Sequence, residues 1–329
     1  MPAKAAEIYT YPPDAQTENA VSARMSCLCR FRGPGQECSQ IEHRGNRAFV
    51  RIADHPNLIQ SYGRERIPLG LCSIWDLQRG NPEPWVVCPH RLFYAGPSTS
   101  TLENAIYQAW GLTRGDRVAL WKEVKLISTA RNKRFDFTFD YVFRKVVKEN
   151  PLECEDVPYL VEVMTASTTG GGVENTFVNA LTNAAATTGT GINRRQVLAR
   201  MMSQFIAKAQ AAFEWGGKAV WIVQDLLWRY VDRSTGFNRD DFYDDPRGNI
   251  VVLVRQLETS GYEPTKPQSE SYALKLQTIL RGWDRFEKSR GETYEGRDFV
   301  SMLNAPFTPD KKTILRLTNK PPVSILTCA

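Results

Sequence analysis

Two neighbouring stretches decide the fold, RFDFTFDYVFRKVV (134–147) and YLVEVMTAS (159–167). Both are rich in β-branched and aromatic residues and are bounded by basic or Pro-containing segments, the pattern of strands. Asp136 and Asp140 stand four residues apart, an even spacing, so a strand points both to one face. Glu162 interrupts an apolar run, and burying a carboxylate is costly unless a cation or hydrogen-bond donors compensate. An acid on each of two neighbouring strands can hold one Mg2+, a hard ion that polarises a phosphodiester and acidifies a bound water. Such a pair points to phosphodiester hydrolysis. The residues alone leave a second reading open: Asp136 and Asp140 facing solvent or bound to Arg131, Lys133 and Arg134, and Glu162 in a buried salt bridge.

Working outward, VALWKEVKLI (118–127) reads as a further strand of the same mixed sheet. Before it, STSTLENAIYQAWGL (98–112) reads as a helix with Ser or Thr as N-cap and Glu103 in its first turn. After the acid-bearing strands comes a Gly/Thr/Asn-rich stretch, then a strongly helical run from Arg194 that ends at Gly216-Gly217, a C-cap signal. KAVWIVQDLLWRYV (218–231) then begins as a buried strand. The order helix, three strands, helix, strand predicts an α/β protein with an α+β mixed sheet. Beyond it, NIVVLVRQLE reads as a strand, SESYALKLQTILRGWDRFEKS (269–289) as a helix, and the remainder as a Pro-rich tail.

The chain has 329 residues, 42 Lys+Arg against 36 Asp+Glu and 42% apolar content, which excludes a mainly disordered chain. A net charge of +6 permits a nucleic-acid partner without requiring one. There is no secretory h-region and no apolar run of membrane-spanning length, so a cytoplasmic protein is expected. In a reducing compartment its seven cysteines are not a disulfide scaffold. Five of them, Cys27, Cys29, Cys38, Cys72 and Cys88, fall in the first 88 residues in Gly/Pro-rich contexts. Tight turns of that kind let a backbone wrap an ion, and Cys29, Cys38, Cys72 and Cys88 are the candidate tetrahedral ligands for Fe or Zn. The CxC spacing leaves an exchange of Cys27 for Cys29 open, and five reduced, buried cysteines are the alternative. His43, His55 and His90 show no paired-ligand spacing, although His90 follows Cys88-Pro89 and can support that ligand from behind.

The element order, with an acid on the second strand and another on the third, resembles the PD-(D/E)xK nuclease core. More narrowly, CRFRGPGQEC, PLGLCSIWD, CPHR, DYVF, EVMTASTTGGG and KAVWIVQD, spread over about residues 29–231, resemble the NotI-type restriction endonucleases. The resemblance implies a four-cysteine metal knuckle in residues 1–97, a nuclease core in 98–232 and a C-terminal elaboration in 233–329. It makes Asp140 and Glu162 the Mg2+ pair, the Val163 carbonyl a further ligand and Glu103 an outer acid. The sequence departs from the family at Met164, where the core has Lys and this family tolerates Gln; a thioether donates nothing. Thr165, Lys125 and Gln204 are candidate replacements. A rival alignment uses Glu123-Val124-Lys125, but its upstream acid Asp116 is too near in sequence to sit on a separate strand.

The activity implied is that of a type II restriction endonuclease cutting double-stranded DNA at a GC-rich palindrome. It would act as a homodimer in a prokaryotic cell, with a cognate DNA methyltransferase protecting the same site. Basic clusters mixed with amides are the expected DNA contacts. They occur at Arg64-Glu65-Arg66, at Arg131-Asn132-Lys133-Arg134, and at Asn193, Arg194 and Arg195, where a helix N-terminus can also meet a phosphate. The competing reading is a non-catalytic DNA-binding or repair-related protein on a decayed nuclease core, for which Met164 is the argument.

Overall fold

In the computed structural model the described residues are 3–31, 35–38, 49–76, 84–93, 112–128, 135–147, 154, 157–166, 172–182, 191–214, 218–235, 250–256, 268–274, 314–315 and 324–327. Helix and strand are mixed throughout, and the largest sheet combines parallel and antiparallel pairs, an α+β arrangement.

The amino-terminal part is built on β1 (Ala3–Ile8), β4 (Leu71–Asp76) and β5 (Trp85–Val86), which form a small antiparallel sheet. Between them lie α1 (Glu18–Met25), the β2–β3 ribbon (Phe49–Arg51 and Arg66–Pro68) and α2 (Pro56–Tyr62), and α3 (Pro89–Phe93) follows. Thr17 caps α1 by accepting the Ala20 amide, the usual work of a hydroxyl at that position. Tyr9 holds the sheet to its neighbours. Its hydroxyl donates to the Pro68 carbonyl at 2.7 Å, and its ring lies where a Cβ on residue 70 would sit, 2.4 Å from the nearest ring carbon, so only glycine fits there.

Among the described residues the larger sheet has eight strands. β6 (Arg117–Ser128) and β7 (Phe135–Lys145) pair as a long hairpin in one unbroken register, from Val118 opposite Lys145 to Ser128 opposite Phe135. β8 (Tyr159–Met164) adds antiparallel to β7. After α4 (Gly172–Leu181) and α5 (Arg194–Glu214) the chain returns as β9 (Lys218–Gln224), parallel to β8. α6 (Asp225–Thr235) follows, then β10 (Ile250–Gln256), parallel to β9. β9 is buried from Ala219 to Gln224, as expected for a strand with parallel neighbours and both faces covered.

Residues 268–274, read from the sequence as leading into and opening a helix, are instead strand β11 (Gln268–Leu274), paired residue for residue with β10. Ladder formation beside the apolar β10 overrides the local helical pattern. Two short strands, β12 (Ile314–Leu315) and β13 (Ser324–Thr327), pair with the outer side of β6.

One apolar core runs through both sheets, from Ile8, Tyr9 and Ile67 through Phe177 to Phe205 and Trp221. Tyr9 meets Phe177 edge-on at 5.6 Å, and Phe205 lies 3.9 Å from the Trp221 ring. Fully burying a side chain of this size contributes about 1.5–3 kcal/mol. Polar bridges join the same parts. Gln224, at the end of β9, accepts the Val86 amide at 2.9 Å and donates to the Pro84 carbonyl at 2.7 Å, while Ala166 donates to Val86 O. No described helix is long and apolar enough to cross a membrane.

Candidate active site and thiol cluster

The β7–β8 ladder is registered over three pairs, Phe143–Tyr159, Val142–Leu160 and Tyr141–Val161. Beyond Tyr141 and Val161 the strands part and two carboxylates fill the fork. The Val163 amide donates to Asp140 Oδ2 at 2.9 Å, and the Asp140 amide makes a longer contact of 3.4 Å with Glu162 Oε1. The backbone donors that would have continued the ladder are thus satisfied by acids, each held by the other's strand. Asp140 and Glu162, separated in sequence, are brought together here.

A third group enters from above. Lys208 of α5 places its ammonium 2.5 Å from Glu162 Oε1 and 2.8 Å from the Thr138 carbonyl of β7, with Phe139 beneath it at 5.4 Å. Lys208 and Glu162 are each only 4% exposed. Burial, and next the nearby charge of Asp140, push the Glu162 carboxyl up from 4.5 to about 8, while Lys208 and the Asp140 amide pull the other way. Glu162 does make the buried salt bridge that the residues left open. Among the described residues Asp140 Oδ1 and Glu162 Oε2 accept no hydrogen bond, so each carboxylate keeps one oxygen for another partner.

Lys208 was not among the residues singled out from the sequence. A signal existed: α5 buries Val197, Leu198, Met201, Met202, Phe205, Ala209 and Ala212, and Lys208 falls among them although its charge belongs outside. The replacements nominated for Met164 stand elsewhere. The Thr165 hydroxyl donates to Val87 O at 3.4 Å, toward the small sheet, and Gln204 is half-buried on α5. Lys125 and Glu123 lie on β6, the former opposite Thr138, and their side chains are outside the described set, as is that of Asp136 on β7. Met164 itself is buried, with the Arg200 guanidinium 3.4 Å from its sulfur.

Of the expected DNA contacts, Arg131, Lys133 and Arg134 lie outside the described residues, as do Glu103 and the side chain of Arg195. Asn193 is the N-cap of α5: its Oδ1 accepts the Gln196 amide at 3.1 Å and its Nδ2 donates to Gln196 Oε1 at 2.8 Å. Arg194 is engaged by the protein, in an ion pair with Asp76 and stacked 5.0 Å over Trp85. Arg64 pairs with Glu37 on the surface at 3.0 Å.

The amino-terminal cysteines are all buried. Cys29 N donates to Gln36 O and Cys38 N to Cys27 O, which holds the backbones of Cys27–Cys29 and Gln36–Cys38 together; Cys72 is on β4 and Cys88 immediately precedes α3. These four thiols feel one another. A hydrogen bond with Cys29, then burial, raises Cys38 well above its ordinary value; burial, then Cys88 and Cys29, does the same to Cys72. Burial and Cys29 push Cys88 up to about 12. Backbone amides of His90 and Arg91 donate to the Cys88 sulfur, and that of Thr10 to Cys72, each favouring the thiolate. Cys27, with a left-handed backbone (φ 53°), instead faces Tyr9, Tyr62 and Arg64.

As they stand, Cys38 and Cys72 donate to the Leu69 and Gly70 carbonyls, and among the described residues no three His, Cys, Asp or Glu side chains are arranged to hold an ion. A further buried cluster went unread in the sequence: Arg91 donates to both oxygens of Glu7 at 2.9 and 3.1 Å, and Ser73 donates to Glu7 at 2.7 Å. Its members are strewn along the chain with no motif to join them. No protein-family model matches the chain, and no curated protein matches it.

Proposed function

We propose that this protein is a type II restriction endonuclease on a PD-(D/E)xK core, hydrolysing phosphodiester bonds in double-stranded DNA with a divalent ion, Mg2+. The observation that carries the reading is the fork between β7 and β8, where Asp140 and Glu162 converge with one oxygen apiece free of partners among the described residues. Two carboxylates and a nearby main-chain carbonyl, that of Val163, make the oxygen-rich donor set that hard divalent ions prefer. The ion supplies Lewis acidity at the phosphate and acidifies a water. The chain's own residues do the rest. The Val163 amide orients Asp140, while the Asp140 amide and Lys208 orient Glu162, so both carboxylates are set before substrate arrives. Asn193, Arg195 and the basic segment 131–134 are the proposed phosphate contacts, and Arg194 joins them only by leaving Asp76.

Cys29, Cys38, Cys72 and Cys88 would hold iron or zinc. What fits is a set of four buried soft ligands with amides aimed at two of the sulfurs; loading an ion requires the Cys38 and Cys72 thiols to turn from their carbonyl acceptors. The reading extends to a homodimer cutting both strands of a GC-rich palindrome in a prokaryotic cytoplasm, with a methyltransferase protecting the same site. The test is incubation of the protein with long unmethylated DNA and Mg2+. Discrete fragments that vanish for Glu162→Ala support the nuclease. No cleavage across diverse substrates, with DNA binding retained, supports the decayed-core alternative.

A further inference from the structure

We propose that Lys208 is the catalytic lysine of this site, supplied by the helix above the sheet rather than by the strand that carries Glu162; the inference rests on the nuclease reading. Residue 164 lies two positions beyond Glu162 on β8, so it shares Glu162's face of the strand, and as methionine it offers no proton to a water or a phosphate. Its sulfur is met by Arg200 instead. Lys208, further along the same helix as Arg200, reaches the Glu162 carboxylate directly.

Three details separate it from an incidental ion pair. First, the ammonium is shared between the two strands of the fork, with Glu162 Oε1 on one and Thr138 O on the other, so it sits where they diverge. Second, an ammonium has three donors, and the third finds no acceptor among the described residues. Third, a lysine 4% exposed in an otherwise apolar stripe of α5 pays a desolvation penalty that a leucine would avoid. The free N–H is available to a water or to a phosphate oxygen.

In the reaction the attacking water gives one proton to solvent as its oxygen bonds to phosphorus. The bond from phosphorus to the 3′ oxygen breaks, and that oxygen takes a proton from solvent. Lys208 takes no part in the proton transfers; it orients the water and stabilises the charge growing on the non-bridging oxygens.

The experiment moves the lysine between its two places. Wild type, Lys208→Met, Lys208→Arg and the double variant Lys208→Met with Met164→Lys are compared in DNA cleavage (kcat and KM separately), Mn2+ binding by calorimetry and thermal melting. Lys208→Met is expected to lose about a hundredfold or more in kcat, with KM for DNA and Mn2+ binding within about threefold of wild type. The double variant is expected to recover about tenfold or more of the loss, because an ammonium is restored beside Glu162. If Lys208→Met fails to fold, Lys208→Arg and the double variant, which both keep a cation at Glu162, carry the comparison. Wild-type kcat in Lys208→Met overturns the proposal. So does a loss of kcat matched by loss of Mn2+ binding or of the melting transition, or a folded, Mn2+-binding double variant as slow as Lys208→Met. Cleavage by wild type with any of these results sinks the lysine assignment alone, whereas wild type that binds DNA and never cuts it sinks the nuclease reading and the lysine with it.

Discussion

Val163 donates its amide to Asp140 Oδ2 at 2.9 Å, so the strand that carries one acid of the fork fixes the carboxylate of the other. The contact separates the charge of Asp140 from its role as an acceptor. Asp140→Asn keeps an oxygen for the Val163 amide and should melt within about 2 °C of wild type while losing cleavage by about a hundredfold or more. Asp140→Ala also strands the amide and should cost a further ~1–3 kcal/mol in denaturant unfolding. Equal stability for the two variants would show that the bond does not matter.

The raised carboxyl of Glu162 makes metal-free stability depend on pH. A group at 4.5 when unfolded and about 8 when folded holds its proton more tightly in the native state. Its contribution is fully present below 4.5, shrinks as pH rises, and is gone once pH passes through about 8. Urea midpoints in chelator should therefore fall from pH 5 to pH 8.5 more steeply for wild type than for Glu162→Gln, which has no proton to lose. Parallel curves would refute the linkage.

In the proposed cysteine site the raised thiols would make metal uptake a proton-releasing event, because each ligand must lose its proton to bind. Zinc affinity should rise with pH, and calorimetry in buffers of different ionisation enthalpy should register the released protons. Cys29→Ser should lower metal content and destabilise the small sheet. Cys27→Ser should leave metal content unchanged, since Cys27 faces Tyr9, Tyr62 and Arg64. Loss of metal in Cys27→Ser alone would exchange the two assignments.

Arg194 gives a case in which a basic residue beside the proposed DNA surface acts within the protein. Its ion pair with Asp76 and its stacking on Trp85 tie α5 to β4 and β5. Arg194→Ala should lower the free energy of unfolding by ~1–3 kcal/mol. The dependence of DNA affinity on salt should stay within half a unit of the wild-type log-log slope, whereas loss of a phosphate contact reduces that slope by about 1.

The central strands, the long helix and β9 were legible in the sequence because each carries a hydrophobic period or an unbroken apolar run long enough to stand above local noise. Glu162 was legible because an acid in such a run demands an explanation, whereas Asp140 shared a strand face with Asp136 and was distinguished from it only by the family resemblance. The quartet of Cys29, Cys38, Cys72 and Cys88 was nominated from residue type and turn context, and it is this set whose thiols crowd together. Lys208 was hidden because its meaning depends on a helix crossing over the fork, a relation between residues 138, 162 and 208 that no local window contains. β11 was misread because Gln268–Leu274 is a strand only by virtue of β10. The bridge of Gln224 to Pro84 and Val86 is long-range in the same way.

The pairing of β13 with β6 bears on how the chain is made. Residues 117–120 leave the ribosome long before residues 324–327, which cover their outer edge. Until then the β6–β7 hairpin presents a bare row of amides and carbonyls, with Val118, Ala119 and Leu120 beside it. An uncovered strand of that composition invites pairing with another nascent copy. The late strand thus works as a seal, closing an edge that the earlier part of the chain leaves adhesive throughout its synthesis.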